Sequence, residues 1–238
     1  LARVAGAAVV GITLLTSLPN DAAAIPAFAR KYRVSCNLCH NPFPALTAFG
    51  EQFAGNGFRM AIDEEPKDTI ATGDDLLTLP ASVPLALRLD AYAQLYANGK
   101  AATDFQLPFN LKLLSGGTLG KKLSYYVYFL LAERGEVAGI EDAFIYWNDI
   151  ADAPVDLAVG QFQVSDPMFK RELRLEVLDY AIYKVLVGLQ PANLTYDRGL
   201  MASADLAGFT LTATLVNGDG IPAANELFRY DNDANKNL

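Results

Sequence analysis

The sequence predicts an all-β fold, namely an antiparallel β-barrel of the outer-membrane type that follows a small helical segment. From Val83 onward, apolar and polar residues alternate with a period of two, as in strands with one apolar face. The alternating stretches approach the roughly ten residues that a tilted membrane strand needs. Residues 25–62 show helical spacing between turn residues instead, so they predict a separate segment.

The composition allows a soluble protein with a large core or a membrane β-barrel. The chain has 238 residues, of which 52% are hydrophobic and 19% are charged. That balance excludes a disordered chain, and the frequent charges after the N-terminus exclude a bundle of membrane helices. The formal net charge of −8 argues against nucleic acid as a partner.

Residues 1–24 read as a secretory signal peptide. Arg3 belongs to a basic start, residues 5–15 form an apolar run, and the alanines at 22–24 suit cleavage. The apolar run is too short to span a bilayer. We therefore expect the mature protein to begin at Ile25 and to work outside the cytoplasm. The alternative is a buried N-terminal helix.

Cys36, Cys39 and His40 form a Cys-x-x-Cys-His motif, the pattern for attachment of a c-type haem. Two thiols at this spacing bond the two vinyl groups of one haem, and the adjacent imidazole binds the iron as proximal ligand. The motif contains both cysteines and the single histidine of the chain. We therefore expect one covalent haem c, with a redox-active dithiol or a zinc half-site as alternatives.

The single histidine excludes a second histidine ligand from this chain. The methionines are Met60, Met168 and Met201, and Met60 follows the motif in the same segment. Met60 is thus our first choice for the sixth ligand, which would raise the reduction potential. The alternative is that Met60 is an ordinary core residue, and an open sixth site would permit peroxide or small-ligand chemistry.

A short helix is predicted over residues 45–55, after Pro44, which suits a first helical turn. Leu46, Phe49 and Phe53 recur at intervals of three and four, which gives the helix one apolar face. We expect Phe49 and Phe53 to contact the haem, and the alternative is that the same face packs on neighbouring protein.

Residues 63–80 predict an exposed linker, and residues 81–238 predict the barrel. The barrel's turns include Gly116-Gly117 and a glycine-rich turn at 217–220. The roughly eight predicted strands are Leu85–Leu95, Phe105–Leu113, Leu123–Glu133, Ile140–Trp147, Val155–Val164, Tyr180–Gln190, Asn193–Ala204 and Phe209–Val216.

A soluble β-sandwich also alternates, so it is the alternative to the membrane barrel. Tyrosines near the strands favour the barrel, because aromatic girdles flank the apolar band of such proteins. Arg88, Lys112 and Lys184 are candidate charges of the lumen. The tyrosines assigned to the girdles are Tyr92, Tyr96, Tyr125, Tyr126, Tyr128 and Tyr146.

The chain resembles a bacterial family of outer-membrane proteins in which a segment with a single haem c precedes a porin-like β-barrel. In the first segment the resemblance rests on Ile25 to Tyr32, Cys36 to His40, Phe43-Pro44, Phe49-Gly50-Glu51 and Asn56-Gly57-Phe58. In the barrel it rests on Gly160 to Val164, Tyr196 to Gly199 and Val216 to Gly220.

The resemblance implies thioether bonds at Cys36 and Cys39 and a proximal ligand at His40. It implies electron transfer at the outer membrane, with the haem segment facing the periplasm or the lumen. The implied partners are outer-membrane lipid and periplasmic electron carriers. Such barrels usually end in an aromatic residue, whereas Leu238 ends a polar stretch, so we expect part of a larger barrel.

The sequence is also consistent with two other functions. The first is a solute porin in which the haem acts as a plug or sensor. The second is a soluble periplasmic haem protein. An enzyme is disfavoured, because the chain has no second histidine to serve on the distal side of a haem.

Overall fold

A computed structural model describes residues 26–60, 64, 69–74, 78–96, 102–164, 196–218, 220–221, 229–231 and 236. The predicted signal peptide lies outside the described residues, as do the strand predicted over Tyr180–Gln190, Met168 and Lys184.

The N-terminal segment forms three short helices rather than one. They are α1 (Ala27–Tyr32), α2 (Cys36–Cys39) and α3 (Ala48–Gly55). The helix predicted over residues 45–55 ends as expected but begins three residues later. The reason is Thr47, whose side chain accepts a hydrogen bond of 3.1 Å from the Gly50 amide and so caps α3.

Two short exposed strands follow within the predicted linker, and they pair antiparallel as β1 (Thr69–Ala71) and β2 (Thr78–Pro80). Glu64 does not fit the expectation of an exposed connector, because only 7% of its surface is exposed. Its carboxylate binds partners in the helical segment. No helix in the described part of the chain is both long and apolar enough to cross a membrane.

Most of the remaining described chain forms one antiparallel sheet of seven strands, in which strands that are consecutive in the chain pair with each other, and a short 3-10 helix (Ile150–Asp152) lies between the fourth and fifth of them. The prediction of an all-β antiparallel fold is therefore confirmed. Among the described residues the sheet is open, with the first and last strands at its edges, so closure into a barrel stays a prediction. The strands are β3 (Leu85–Tyr96), β4 (Ala102–Thr118), β5 (Leu123–Glu133), β6 (Gly139–Trp147), β7 (Asp156–Gln163), β8 (Tyr196–Leu206) and β9 (Phe209–Val216).

One face of the sheet, here called the outer face, carries exposed apolar side chains. A single row of register partners crosses four strands on this face, and its members are 41–47% exposed. The row consists of Ile145, Val159, Leu200 and Leu215. The predicted alternation of apolar and polar residues therefore produces an uncovered apolar surface.

The opposite face, here called the inner face, holds the main core. Its cluster contains buried aromatic and small residues from β5 to β9. Three tyrosines assigned to the girdles, Tyr126, Tyr128 and Tyr146, belong to this core, so that interpretation was wrong for them. Their even positions in β5 and β6 direct them to the inner face, where protein rather than lipid covers them.

The glycine pair Gly160 and Gly199 lies within the sheet, where the two residues are register partners. A Cβ atom at Gly199 would lie 2.0 Å from the Leu215 carbonyl oxygen, and one at Gly160 would lie 2.2 Å from the Ala143 carbonyl oxygen. Only glycine therefore allows neighbouring backbones to approach this closely, which is a feature of bends and bulges in sheets.

Candidate functional site

The Cys-x-x-Cys part of the motif lies on α2. The Ser35 hydroxyl accepts a 3.4 Å hydrogen bond from the Asn37 amide and caps this short helix. Since residues three apart share one side of a helix, Cys36 and Cys39 are neighbours on its surface. Both thiols are free, with Cys36 exposed and Cys39 half-buried. Burial, and then the nearby Cys36 thiol, raise the pKa of Cys39, which keeps it protonated.

His40 follows α2 as its C-cap residue, and its amide donates to the Cys36 carbonyl oxygen at 3.0 Å. Its ring Nδ1 lies 2.9 Å from the carbonyl oxygen of Pro44. A carbonyl oxygen only accepts, so Nδ1 must be the donor. In a neutral ring Nε2 then carries the free lone pair. Histidines that bind a metal through one ring nitrogen typically donate a hydrogen bond from the other, as Nδ1 does here. The ring is thus prepared to bind a metal through Nε2.

Backbone bonds close the loop between His40 and α3. His40 and Leu46 form an antiparallel bridge, and the Thr47 amide donates to the Cys39 carbonyl oxygen at 2.9 Å. The Thr47 hydroxyl donates to the Leu38 carbonyl oxygen at 2.7 Å. Thr47 therefore joins α2 to α3 and fixes the loop that carries Pro44.

Exposed apolar side chains lie on the helical segment near the motif. Leu38, Phe43, Phe49 and Met60 are between 37% and 58% exposed. A haem presents a broad apolar surface to the protein that binds it, and these side chains would be covered by such a group. Together with the paired thiols and the prepared imidazole, the residues present fit a covalent haem.

Phe49 and Phe53, which were both predicted to contact the haem, differ in how much of each is exposed. Phe53 is only 6% exposed and packs within 5.2 Å of Phe28 and 5.6 Å of Tyr32, measured between ring centroids. It also lies 6.1 Å from the Phe58 ring. Phe53 thus contacts protein, whereas the 37% exposure of Phe49 leaves it accessible to a haem. Haem contact by either residue stays a prediction.

Met60 lies at the end of the same segment, and its amide donates to the Glu64 carboxylate at 3.0 Å. Its side chain is 38% exposed, so protein does not enclose it as it would a core methionine. The assignment of Met60 as the sixth ligand stays a prediction.

Glu64 gathers several hydrogen bonds that sequence reasoning missed. The Tyr32 hydroxyl lies 2.9 Å from each carboxylate oxygen, and Lys31 pairs with one of them at 2.8 Å. Burial would raise the pKa of Glu64, but bonds from Lys31, the Met60 amide and Tyr32 outweigh it and lower the pKa. Burial also raises the pKa of the Tyr32 hydroxyl, and Glu64 adds to this rise.

Arg59 anchors the helical segment to the sheet. Only 1% of its surface is exposed, and its Nε donates to the Asn56 carbonyl oxygen at 3.2 Å. Its two terminal nitrogens donate to the carbonyl oxygen of Lys121 and to the side chain of Asn148. These acceptors lie in the β4–β5 and β6–β7 turns, so one buried cation holds both turns.

Phe58 and Gly57 complete this docking on the inner face. The Phe58 ring stacks on Tyr126 with 4.4 Å between centroids, and on its other side it stacks on Phe28 at 5.2 Å. Gly57 has a φ of +66°, and a Cβ there would lie 2.3 Å from the Ser124 hydroxyl oxygen. The helical segment therefore sits tightly on β5.

Two of the candidate lumen charges, Arg88 and Lys112, already contact neighbouring side chains. Arg88 donates to the Asp90 carboxylate at 2.8 Å. Lys112 is 6% exposed, and its ammonium lies 5.5 Å from the centre of the Tyr128 ring. Both residues pair in register on β3 and β4, so they belong to one polar part of the inner face.

The described residues contain no group of three or more His, Cys, Asp or Glu side chains arranged to hold a metal ion. Comparisons with protein-family models, with curated proteins and with solved structures found no match.

Proposed function

We propose that this protein is a monohaem c-type cytochrome joined to a porin-like outer-membrane sheet, and that it transfers electrons. The observation that carries the proposal is the local geometry of the motif. Two free thiols lie on one short helix, and the histidine that follows has its Nδ1 bound by the Pro44 carbonyl. This arrangement leaves Nε2 for an iron.

The outer face supports a position in the membrane. In a soluble antiparallel sheet the uncovered face is normally polar. Here the uncovered face carries the row of Ile145, Val159, Leu200 and Leu215. An apolar outer band opposite a more polar inner face is the pattern of outer-membrane strands.

Features at the strand ends support the same placement. Trp147 and Phe209 are 47% and 73% exposed, and both lie at the end of the sheet nearest the helical segment. That end carries the two-residue turn of Ala207 and Gly208. Since such barrels have short periplasmic turns and longer external loops, we assign the helical segment to the periplasmic end.

The chain's residues have three tasks in this proposal. Cys36 and Cys39 would hold the haem covalently, His40 would bind its iron, and the docking through Arg59 and Phe58 holds the helical segment against the inner face. When bound, the haem supplies one-electron chemistry. The hydrocarbon layer is roughly 30 Å thick, so one haem on the periplasmic face could not bridge it. Electron transfer across the membrane therefore requires the helical segment to lie within the lumen, where a donor and an acceptor reach the haem from opposite sides.

Electron transfer in liposomes tests the proposal. Purified protein with covalent haem should carry electrons from an external donor to an acceptor enclosed in the liposomes. The matched control is the Cys36→Ser/Cys39→Ser variant, which should give the rate of empty liposomes. Transfer by the wild type that does not exceed the rate of empty liposomes would contradict the proposal.

A solute porin with the haem segment as plug is the second candidate, and the polar inner face favours it. Arg88, Asp90, Asn110 and Lys112 form two register pairs there. The test is conductance in planar bilayers, with the wild type beside the haem-free Cys36→Ser/Cys39→Ser variant. Conductance that survives the loss of haem favours the porin, whereas a closed haem-free protein favours electron transfer.

A further inference from the structure

A contact with β3 places a charged side chain of the sheet beside the loop of the axial ligand. The guanidinium carbon of Arg88 lies 4.9 Å from the centre of the Phe43 ring. The same ring lies 4.9 Å from the His40 ring and is tilted from it by 58°. Phe43 thus links a cation of the sheet to the imidazole.

Arg88 is itself held in place by its strand. Its Nε donates to the Asp90 carboxylate at 2.8 Å, and Asn110 donates to the other oxygen of Asp90 at 3.4 Å. The side chains of Arg88 and Asp90 are 28% and 15% exposed. A side chain that is bonded on a strand provides a more rigid support than one in a loop.

We propose that Arg88 is a positioning residue for the haem ligand His40, acting through Phe43, and that its charge sets the reduction potential. This inference rests on the proposed function, because it concerns a haem bound by His40. A planar guanidinium stacks on an aromatic ring, which restricts Phe43 and through it the imidazole plane. A nearby positive charge also favours the reduced haem, which carries one positive charge fewer than the oxidised haem.

The Arg88→Ala variant, made in the full chain with haem attached, tests the proposal. Removal of the cation leaves the Asp90 carboxylate without the charge that pairs with it, so the reduction potential should fall. We expect at least a threefold lower ratio of reduced to oxidised haem at a fixed applied potential. The electron paramagnetic resonance spectrum of the oxidised haem, which senses the imidazole plane, should change as well.

Two further variants separate charge from stacking. Arg88→Lys keeps the charge but lacks the planar group, so it should restore the reduction ratio without restoring the spectrum. Arg134→Ala is the matched control, because Arg134 lies 5.9 Å from the centre of the Phe109 ring at the end of the sheet away from the helical segment. This control should leave both measurements at their wild-type values.

Phe43→Leu tests the link without altering the sheet, since Phe43 is 58% exposed in a loop. It should reproduce the spectral change of Arg88→Ala, and the double variant should add no further spectral change. The proposal would be overturned if Arg88→Ala and Phe43→Leu both kept the wild-type potential and spectrum. It would also be overturned if the spectral change of the double variant equalled the sum of the two single changes. A wild type without covalent haem would instead overturn the proposed function, so the two failures are distinguishable.

Discussion

Single residues far apart in the sequence decide how the helical segment is held on the sheet. Arg59 reaches acceptors at positions 121 and 148, and Phe58 stacks on position 126. The motif residues were predictable from the sequence, because their chemistry requires a fixed local spacing. Arg59 was not predictable, because a lone arginine before Met60 carries no local pattern and its partners lie in distant turns.

Arg59→Ala should weaken the docking of the helical segment. The substitution leaves two buried acceptors, the Lys121 carbonyl oxygen and the Asn148 side-chain oxygen, without their charged donor. The loss should lower the free energy of unfolding by about 2–4 kcal/mol. Urea unfolding followed by haem absorbance measures this free energy, with Arg134→Ala as the control. A loss no larger than that of the control would show that Arg59 does not anchor the segment.

Glu64 should make the helical segment sensitive to acid. Its pKa in the folded protein lies below its ordinary value of 4.5, so its ionised form stabilises the fold above that pH. The stabilisation is lost as the pH falls through the lowered pKa. The difference in unfolding free energy between wild type and Glu64→Gln should therefore shrink from pH 7 to pH 3, and a constant difference would contradict this role.

The strands could be predicted at the scale of elements, because alternation is a local property. The bounds of β5, β6 and β9 agree with the predicted strands to within a residue. The alternation did not reveal which face is covered, since that depends on the packing of the helical segment. Tyr126, Tyr128 and Tyr146 were consequently assigned to the aromatic girdles, although they lie in the core.

Adjacent residues of β9 offer a test of the two faces. Leu211 is 56% exposed on the outer face, and its neighbour Thr212 lies on the inner face. In a lipid bilayer Leu211→Arg should cost up to about 2–4 kcal/mol, the cost of an arginine that faces lipid at the midplane, whereas Thr212→Arg should cost less. Unfolding from lipid vesicles measures both. Equal costs would argue that no lipid covers the outer face.

At the scale of the whole molecule, the sheet and the docked helical segment follow from separate signals in the sequence. Alternation predicted the sheet, and helical spacing with turn residues predicted a separate segment before it. Their relative position could not be predicted, because it depends on contacts between residues far apart in the sequence. One example is the 2.8 Å hydrogen bond from the Arg30 side chain to the Leu85 carbonyl oxygen, which joins residues 55 positions apart. The helical segment lies on the inner face and leaves the outer face uncovered.

The single tryptophan reports on the environment of the whole sheet. Trp147 is the only tryptophan of the chain, and it is 47% exposed at a strand end on the outer face. Lipids with bromine near the head of the acyl chain should quench its fluorescence more than lipids brominated near the chain end. Quenching by a water-soluble agent alone would contradict a membrane position.

The central claim joins one covalent haem to an outer-membrane sheet, and a haem stain of the separated outer-membrane fraction tests it most directly. Thioether bonds survive denaturing electrophoresis, so the wild-type chain should stain for haem in that fraction. The Cys36→Ser/Cys39→Ser variant should be present there without stain. A wild-type chain that carries no haem, or that stains only in the soluble fraction, would contradict the claim.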